Sequence, residues 1–107
     1  MSFDLLTVAL ELVVEVAKVY PRIAKHDGDL AKQVRRSANS VPANVGEGSW
    51  RKGADQAHFY RTAGGSAKET TIHLLVARSW GFVTNEEIAP SLARADRVCA
   101  MVWKATH

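Results

Sequence analysis

The chain has 107 residues, 47% apolar and 23% charged, and 14 Lys plus Arg against 11 Asp plus Glu give a net charge of +3 and a pI near 9.3. These figures describe one globular domain over residues 1–107. They exclude a disordered chain, two independent cores and a histone-like polycation. Cys99 stands alone, which excludes an internal disulfide and a cysteine-based zinc site. No apolar run approaches the roughly 18 residues of a membrane span, because Glu11 and Glu15 interrupt the best stretch. The opening MSFDLL lacks the basic-then-apolar signature of a secretion signal. A cytoplasmic protein that contacts no membrane is expected.

Helical periodicity runs from end to end. Leu5, Leu6, Ala9, Leu12, Val13, Val16, Val19, Tyr20 and Ile23 recur at three- and four-residue steps, with acids early and bases late on the opposite face. Pro21 has no N–H for the carbonyl of Ala17 and is expected to kink or end this helix. KHDGD at residues 25–29 reads as a turn, with Asp27 or Asp29 capping the next helix.

The second helix is predicted from about Leu30 to Gly46, with Leu30, Val34, Ala38, Val41 and Val45 inward. Pro42 falls in mid-pattern, where proline costs about 3 kcal/mol without compensation. Ser37, Asn39, Ser40 and Asn44 are short polar side chains able to serve a freed carbonyl. Gly46, Gly48 and Gly53 then break the chain. A third helix, about Ala54 to Trp80, puts Phe59, Ala63, Ser66, Thr70, Leu74 and Ala77 on one stripe. Gly64 and Gly65 inside it cost about 1 kcal/mol each relative to Ala, which close approach of another backbone would offset. Gly81 closes that helix, and Thr84 with Glu87 forms a capping box for the last one. Ile88, Leu92, Ala95, Cys99 and Val102 point inward there. Four amphipathic helices on short connections predict an all-α, antiparallel up-down-up-down four-helix bundle.

No pattern points to catalysis. His26, His58, His73 and His107 are scattered, and the inward Glu-x-x-His pairs of a di-iron bundle are missing. Neither a G-x-S-x-G elbow, a P-loop nor a dinucleotide fingerprint occurs. A non-enzyme with no metal and no cofactor is expected. Cys99, on an apolar stripe, reads as a buried, inert thiol.

The bases are more informative. Residues 27–53 hold five bases against three acids, while residues 1–26 and 81–107 are each balanced. Lys32, Arg35 and Arg36 share one face of helix two, Arg51 and Lys52 follow beside Trp50, and Arg61 and Lys68 lie two turns apart on helix three. Clustered charge of this kind suits phosphate, and a neighbouring aromatic ring could stack on an unpaired base. No recognition-helix or aromatic-platform motif accompanies it, so charge and shape rather than base readout are expected. Glu47 and Glu69 stand among small or apolar neighbours, which predicts partial burial and pairing with an arginine such as Arg36. Gly64–Gly65 and the three tryptophans, Trp50, Trp80 and Trp103, suggest surfaces that pack on another subunit.

RRSANSVPANVGEGSWRKG at residues 35–53 and HFYRTAGGSAKETTIHLL at residues 58–75 resemble the four-helix family of 23S rRNA intervening-sequence proteins. The family pattern Ser-Val/Ile-Pro-Ala-Asn-Val/Ile-x-Glu-Gly matches Ser40, Val41, Pro42, Ala43, Asn44, Val45, Glu47 and Gly48. A second, Phe-x-x-x-Ala-x-Gly-Ser-x-x-Glu-Thr, matches Phe59, Ala63, Gly65, Ser66, Glu69 and Thr70. The likeness covers essentially the whole chain. It implies an antiparallel protomer, commonly assembled as a homopentameric ring, with no enzymatic activity attached. A related branch, the accessory protein of diversity-generating retroelements, is a basic pentamer that binds a reverse transcriptase. Pro42, Asn44, Glu47, Gly48, Gly65, Ser66 and Glu69 read as structural members of these motifs. The expectation is an oligomer binding RNA or DNA through Lys32, Arg35, Arg36, Arg51, Lys52, Arg61 and Lys68. Its rival is a protein-interaction scaffold such as a reverse-transcriptase accessory subunit.

Overall fold

Asp27 decides where the first two helices part. Its extended backbone leaves the first helix, and its carboxylate accepts from Leu30 N at 2.9 Å, satisfying one of the orphan donors of the second. The computed structural model describes the backbone of residues 2–107 and the side chains from Asp4 onward. Its four helices are α1 (Ser2–His26), α2 (Gly28–Ser49), α3 (Gly53–Ser79) and α4 (Asn85–Thr106). Gly53 and Gly81, at φ of 57° and 81°, supply the left-handed backbone that begins α3 and leaves it. Thr84 caps α4 through the reciprocal box, accepting from Glu87 N at 3.1 Å while Thr84 N donates to Glu87 at 2.8 Å.

Two prolines do less than the sequence suggests. Pro21 does not end α1, which continues to His26; Ala17 and Pro21 are both exposed, so water can serve the carbonyl left without an N–H. Pro42 sits inside α2, and Gly46 and Gly48 do not break that helix, which runs on to Ser49. The short polar side chains around Pro42 do not turn to the Ala38 carbonyl. Ser37 donates to Val34 O at 3.1 Å, and Asn44 Nδ2 donates to Ser40 O at 2.8 Å and Ser40 Oγ at 2.9 Å.

Each helix packs on its chain neighbours and α1 closes the square against α4, so α1 and α3 stand diagonally, as do α2 and α4. Pairings across the seams run in opposite order: Gly48 meets Tyr60 while Ser37 meets Thr70, and Glu11 meets Arg94 while Arg22 meets Glu87. Neighbours are therefore antiparallel. The long dimension of 42 Å is close to the ~40 Å that the 27 residues of α3 span at ~1.5 Å each. One core takes Leu5, Leu12 and Ile23 from α1, Val34 and Val41 from α2, Leu74 from α3, and Ile88 and Val98 from α4. Each such side chain contributes about 1.5–3 kcal/mol when fully withdrawn from water.

The α2–α3 seam is built from small and polar residues instead. Thr70 Oγ1 donates to Ser37 Oγ at 2.8 Å, and Ser66 Oγ donates to Ser40 Oγ at 2.9 Å. Gly48 lets the Tyr60 ring lie on the α2 backbone, where even a methyl group would meet it at 2.7 Å. The inward stripe of α3 is Tyr60, Ala63, Gly64, Ala67, Thr70, Leu74 and Ala77; Phe59 and Ser66, expected inward, are half-buried at its edge. Gly64 faces the Val102 side chain rather than a backbone, and Gly65 faces open space.

Candidate nucleic-acid interface

All seven basic residues singled out in the sequence are exposed, but the antiparallel topology distributes them. Lys32, Arg35 and Arg36 occupy the first turns of α2, at the end of the bundle that carries the α1–α2 and α3–α4 turns. Arg35 and Asn39 also border a groove between α1 and α2, opposite Tyr20. Arg51, Lys52 and Arg61 lie at the far end, around the α2–α3 connection, and Lys68 lies halfway along α3. Lys68 is near enough to α4 for its charge to act on the Cys99 thiol.

Ion pairing separates these residues further. Arg51 is fully engaged: its guanidinium holds Glu47 at 2.7 Å and Asp55 at 3.0 Å and lies over the Phe59 ring at 4.9 Å. The hydrogen bonds it donates to Glu47 first, then to Asp55, hold its pKa above the ordinary arginine value. Arg22 pairs with Glu87, Arg94 with Glu11, and Lys18 with Glu15. Among the described residues, Lys32, Arg35, Arg36, Lys52, Arg61 and Lys68 make no ion pair. The α2 triplet is thus a patch of three neighbouring cations, none held in an ion pair among the described residues.

The motif acids are placed differently from expectation. Glu47 and Glu69 are exposed, not partly buried, and neither pairs with Arg36; Glu47 holds Arg51, and Glu69 lies 3.2 Å from His73 Nε2. Both sit on outward faces, where solvation costs nothing. Of the remaining motif residues, Gly48 and Ser66 build the α2–α3 seam, Asn44 holds Ser40 from within α2, Pro42 is half-buried on α2, and Gly65 is on the outer face of α3. Cys99 is half-buried, with Sγ 3.6 Å from Gly64 O, and burial pushes its pKa up.

Two features escaped the sequence reading. A cleft of about 740 Å³ opens at the α2–α3 end, lined by Leu5, Tyr60, Arg97, Met101 and Lys104 among others. At the opposite end three aromatic rings come together. Phe82 lies parallel to His26 at 5.0 Å and nearly parallel to Trp80 at 6.3 Å. The signal was present once the topology was known, since an up-down bundle brings the turns after His26 and after Trp80 to one end. Among the described residues, no group of three or more His, Cys, Asp or Glu could hold a metal ion, and no helix is long and apolar enough to cross a membrane.

No curated protein matches the chain. A crystal structure from Bacteroides thetaiotaomicron, of a protein with unknown function from the S23 ribosomal protein family, superposes with a TM-score of 0.86 at 20% identity. The match covers 95% of this chain and 97% of that one, so the two share the four-helix fold. The sequence itself matches the family described as 23S rRNA-intervening sequence protein over residues 2–104. With its Pro42–Gly48 and Gly65–Thr70 motifs folded into one α2–α3 unit, the chain belongs to that family.

Proposed function

We propose that the protein is a non-enzymatic homo-oligomer that binds nucleic acid, RNA in preference, through the basic face of α2 by charge and shape. The observation that carries this reading is the exposed Lys32–Arg35–Arg36 triplet, which has no carboxylate partner among the described residues. Neighbouring cations free of ion pairs concentrate positive potential and bind phosphate by releasing condensed counterions. The family description, which refers to 23S rRNA, supports RNA over DNA. A cytoplasmic setting belongs to the same reading. Arg51 has no part in it while Glu47 and Asp55 hold it. Replacing Lys32, Arg35 and Arg36 with Ala should weaken binding alike across sequences; unchanged affinity would refute the assignment.

Oligomerisation is supported by two apolar strips on diagonally opposite helices. Leu10 and Val14 are 50% and 56% exposed on α1, and Ile72 and Val76 are 56% and 37% exposed on α3, where Gly65 extends the flat strip. A strip on each of two opposite sides is what a head-to-tail contact needs, and closure of such contacts yields a ring. The family resemblance sets the expected number of subunits at five. Light scattering should give one closed species, and Leu10→Glu or Ile72→Glu should release monomers.

A second reading is favoured by the same exposed apolar residues and by Trp50, which is 84% exposed. In it the assembly is a scaffold for a protein such as a reverse transcriptase. Screening weakens phosphate attraction but spares apolar contact, so a partner retained at high salt selects this alternative.

A further inference from the structure

We propose that the His26–Phe82–Trp80 stack is a landing platform for an unpaired base, so that the nucleic acid engaged is single-stranded RNA or a looped-out single strand rather than an uninterrupted duplex. This rests on the nucleic-acid reading given above and names its substrate class. Three observations converge on it. The Phe82 ring is nearly parallel to both His26, at a centroid distance of 5.0 Å, and Trp80, at 6.3 Å. Phe82 is half-buried against the core and anchors the stack, whereas Trp80 is 71% exposed. An exposed indole with a parallel aromatic neighbour offers a ring surface on which a base can stack.

The charge around the platform has the right sign. Arg22, Lys25, Lys32, Arg35, Arg36 and Arg78 lie at this end of the bundle, against Asp27, Asp29, Glu86 and Glu87. Asp27 is occupied in capping α2, and Glu87 in the α4 capping box and the 2.7 Å pair with Arg22. What remains is Lys25, Lys32, Arg35, Arg36 and Arg78 against Asp29 and Glu86, a net positive charge at the end of the bundle that carries the exposed Trp80 ring. A backbone following the α2 bases can therefore lay a base on Trp80, the combination by which single strands are held without sequence readout. Trp50 and Trp103 lack this arrangement. Trp50 has no ring contact among the described residues, and Trp103 stacks on the C-terminal His107 at 3.4 Å, at the other end of the bundle.

The test compares a short single-stranded RNA with an RNA duplex of equal length, by anisotropy, for the native protein and for Trp80→Ala and Trp50→Ala. Trp80→Ala should weaken the single strand roughly tenfold, about what one stacked base supplies, and leave the duplex and the salt slope unchanged. Trp50→Ala should change neither. A Trp50→Phe/Trp103→Phe protein, whose only tryptophan is Trp80, should lose fluorescence when the single strand binds. Equal losses on strand and duplex, or unquenched Trp80 in a bound complex, overturn the platform while leaving nucleic-acid binding intact. Failure of the native protein to bind either RNA overturns both.

Discussion

Gly48 is where the α2–α3 seam can be tested most sharply. A Cβ there would lie 2.7 Å from Cδ1 and Cε1 of Tyr60 and 3.1 Å from Phe59 Cβ. Neither neighbour yields easily: the Tyr60 ring is buried at 4% exposure, and Phe59 Cβ is fixed to the α3 backbone. Gly48→Ala should therefore carry an overpacking cost of about 1–3 kcal/mol, against a helix-propensity gain of about 1 kcal/mol. Gly46, one half-turn earlier in the same helix, has nothing within 4 Å of the same added atom. Gly46→Ala takes the propensity gain alone, about 0.5–1 kcal/mol of stabilisation. The propensity contribution cancels between the two variants, leaving a gap of about 1–3 kcal/mol that reports the seam directly. Urea unfolding with unchanged m-values measures it, and heating should separate the two midpoints by at least about 4 °C. Equal shifts of the same sign would refute the close approach of α2 to Tyr60.

Thr84→Ala removes the acceptor for Glu87 N but spares the Arg22–Glu87 pair, so equilibrium unfolding should show a loss of about 1 kcal/mol. No loss would mean that the box contributes nothing. Ser91 is buried with no hydrogen-bond partner for its hydroxyl among the described residues. Ser91→Ala should accordingly be neutral or stabilising by up to about 1 kcal/mol; a clear loss in urea unfolding would reveal a partner. Burial raises the folded-state pKa of Cys99, so its stability contribution is intact below the unfolded thiol's pKa and falls as pH rises past about 8.5. Stability of native protein and Cys99→Ala, compared from pH 7 to 10, should diverge only in the alkaline half, with the native protein declining more.

The architecture was legible because its signals were strong and local. Long three- and four-residue apolar spacing marked α1 and α4, and Thr84 with Glu87 located the start of α4 to the residue. The α2 end was misjudged because Gly46 and Gly48 read as breakers, whereas Gly48 is tolerated for the Tyr60 ring it admits. The stripe of α3 was the weakest signal, since Ala, Gly and Thr face inward and carry little hydropathy contrast with its outer face. Which charges are free is legible only at Arg51, whose four-residue spacing from Glu47 and Asp55 suits pairing. Arg51 and Lys52 are adjacent in sequence, yet only Arg51 is held, by acids one turn away on either side. The aromatic stack depends on two turns 54 residues apart meeting at one end, as His26 and Trp80 do, and local patterns carry no such information.

In the proposed complex the α2 triplet contacts phosphate. The most direct test of that contact is the salt dependence of single-stranded RNA binding by nuclease-treated protein, native and with Lys32, Arg35 and Arg36 replaced by Ala. Each phosphate contact on a single strand contributes about 0.7 to the log–log slope, so three lost contacts per subunit engaged should flatten it by about 2. A flatter slope with weaker binding is the predicted result. A native protein that binds no RNA at low salt, or a variant whose slope matches the native one, would contradict the assignment.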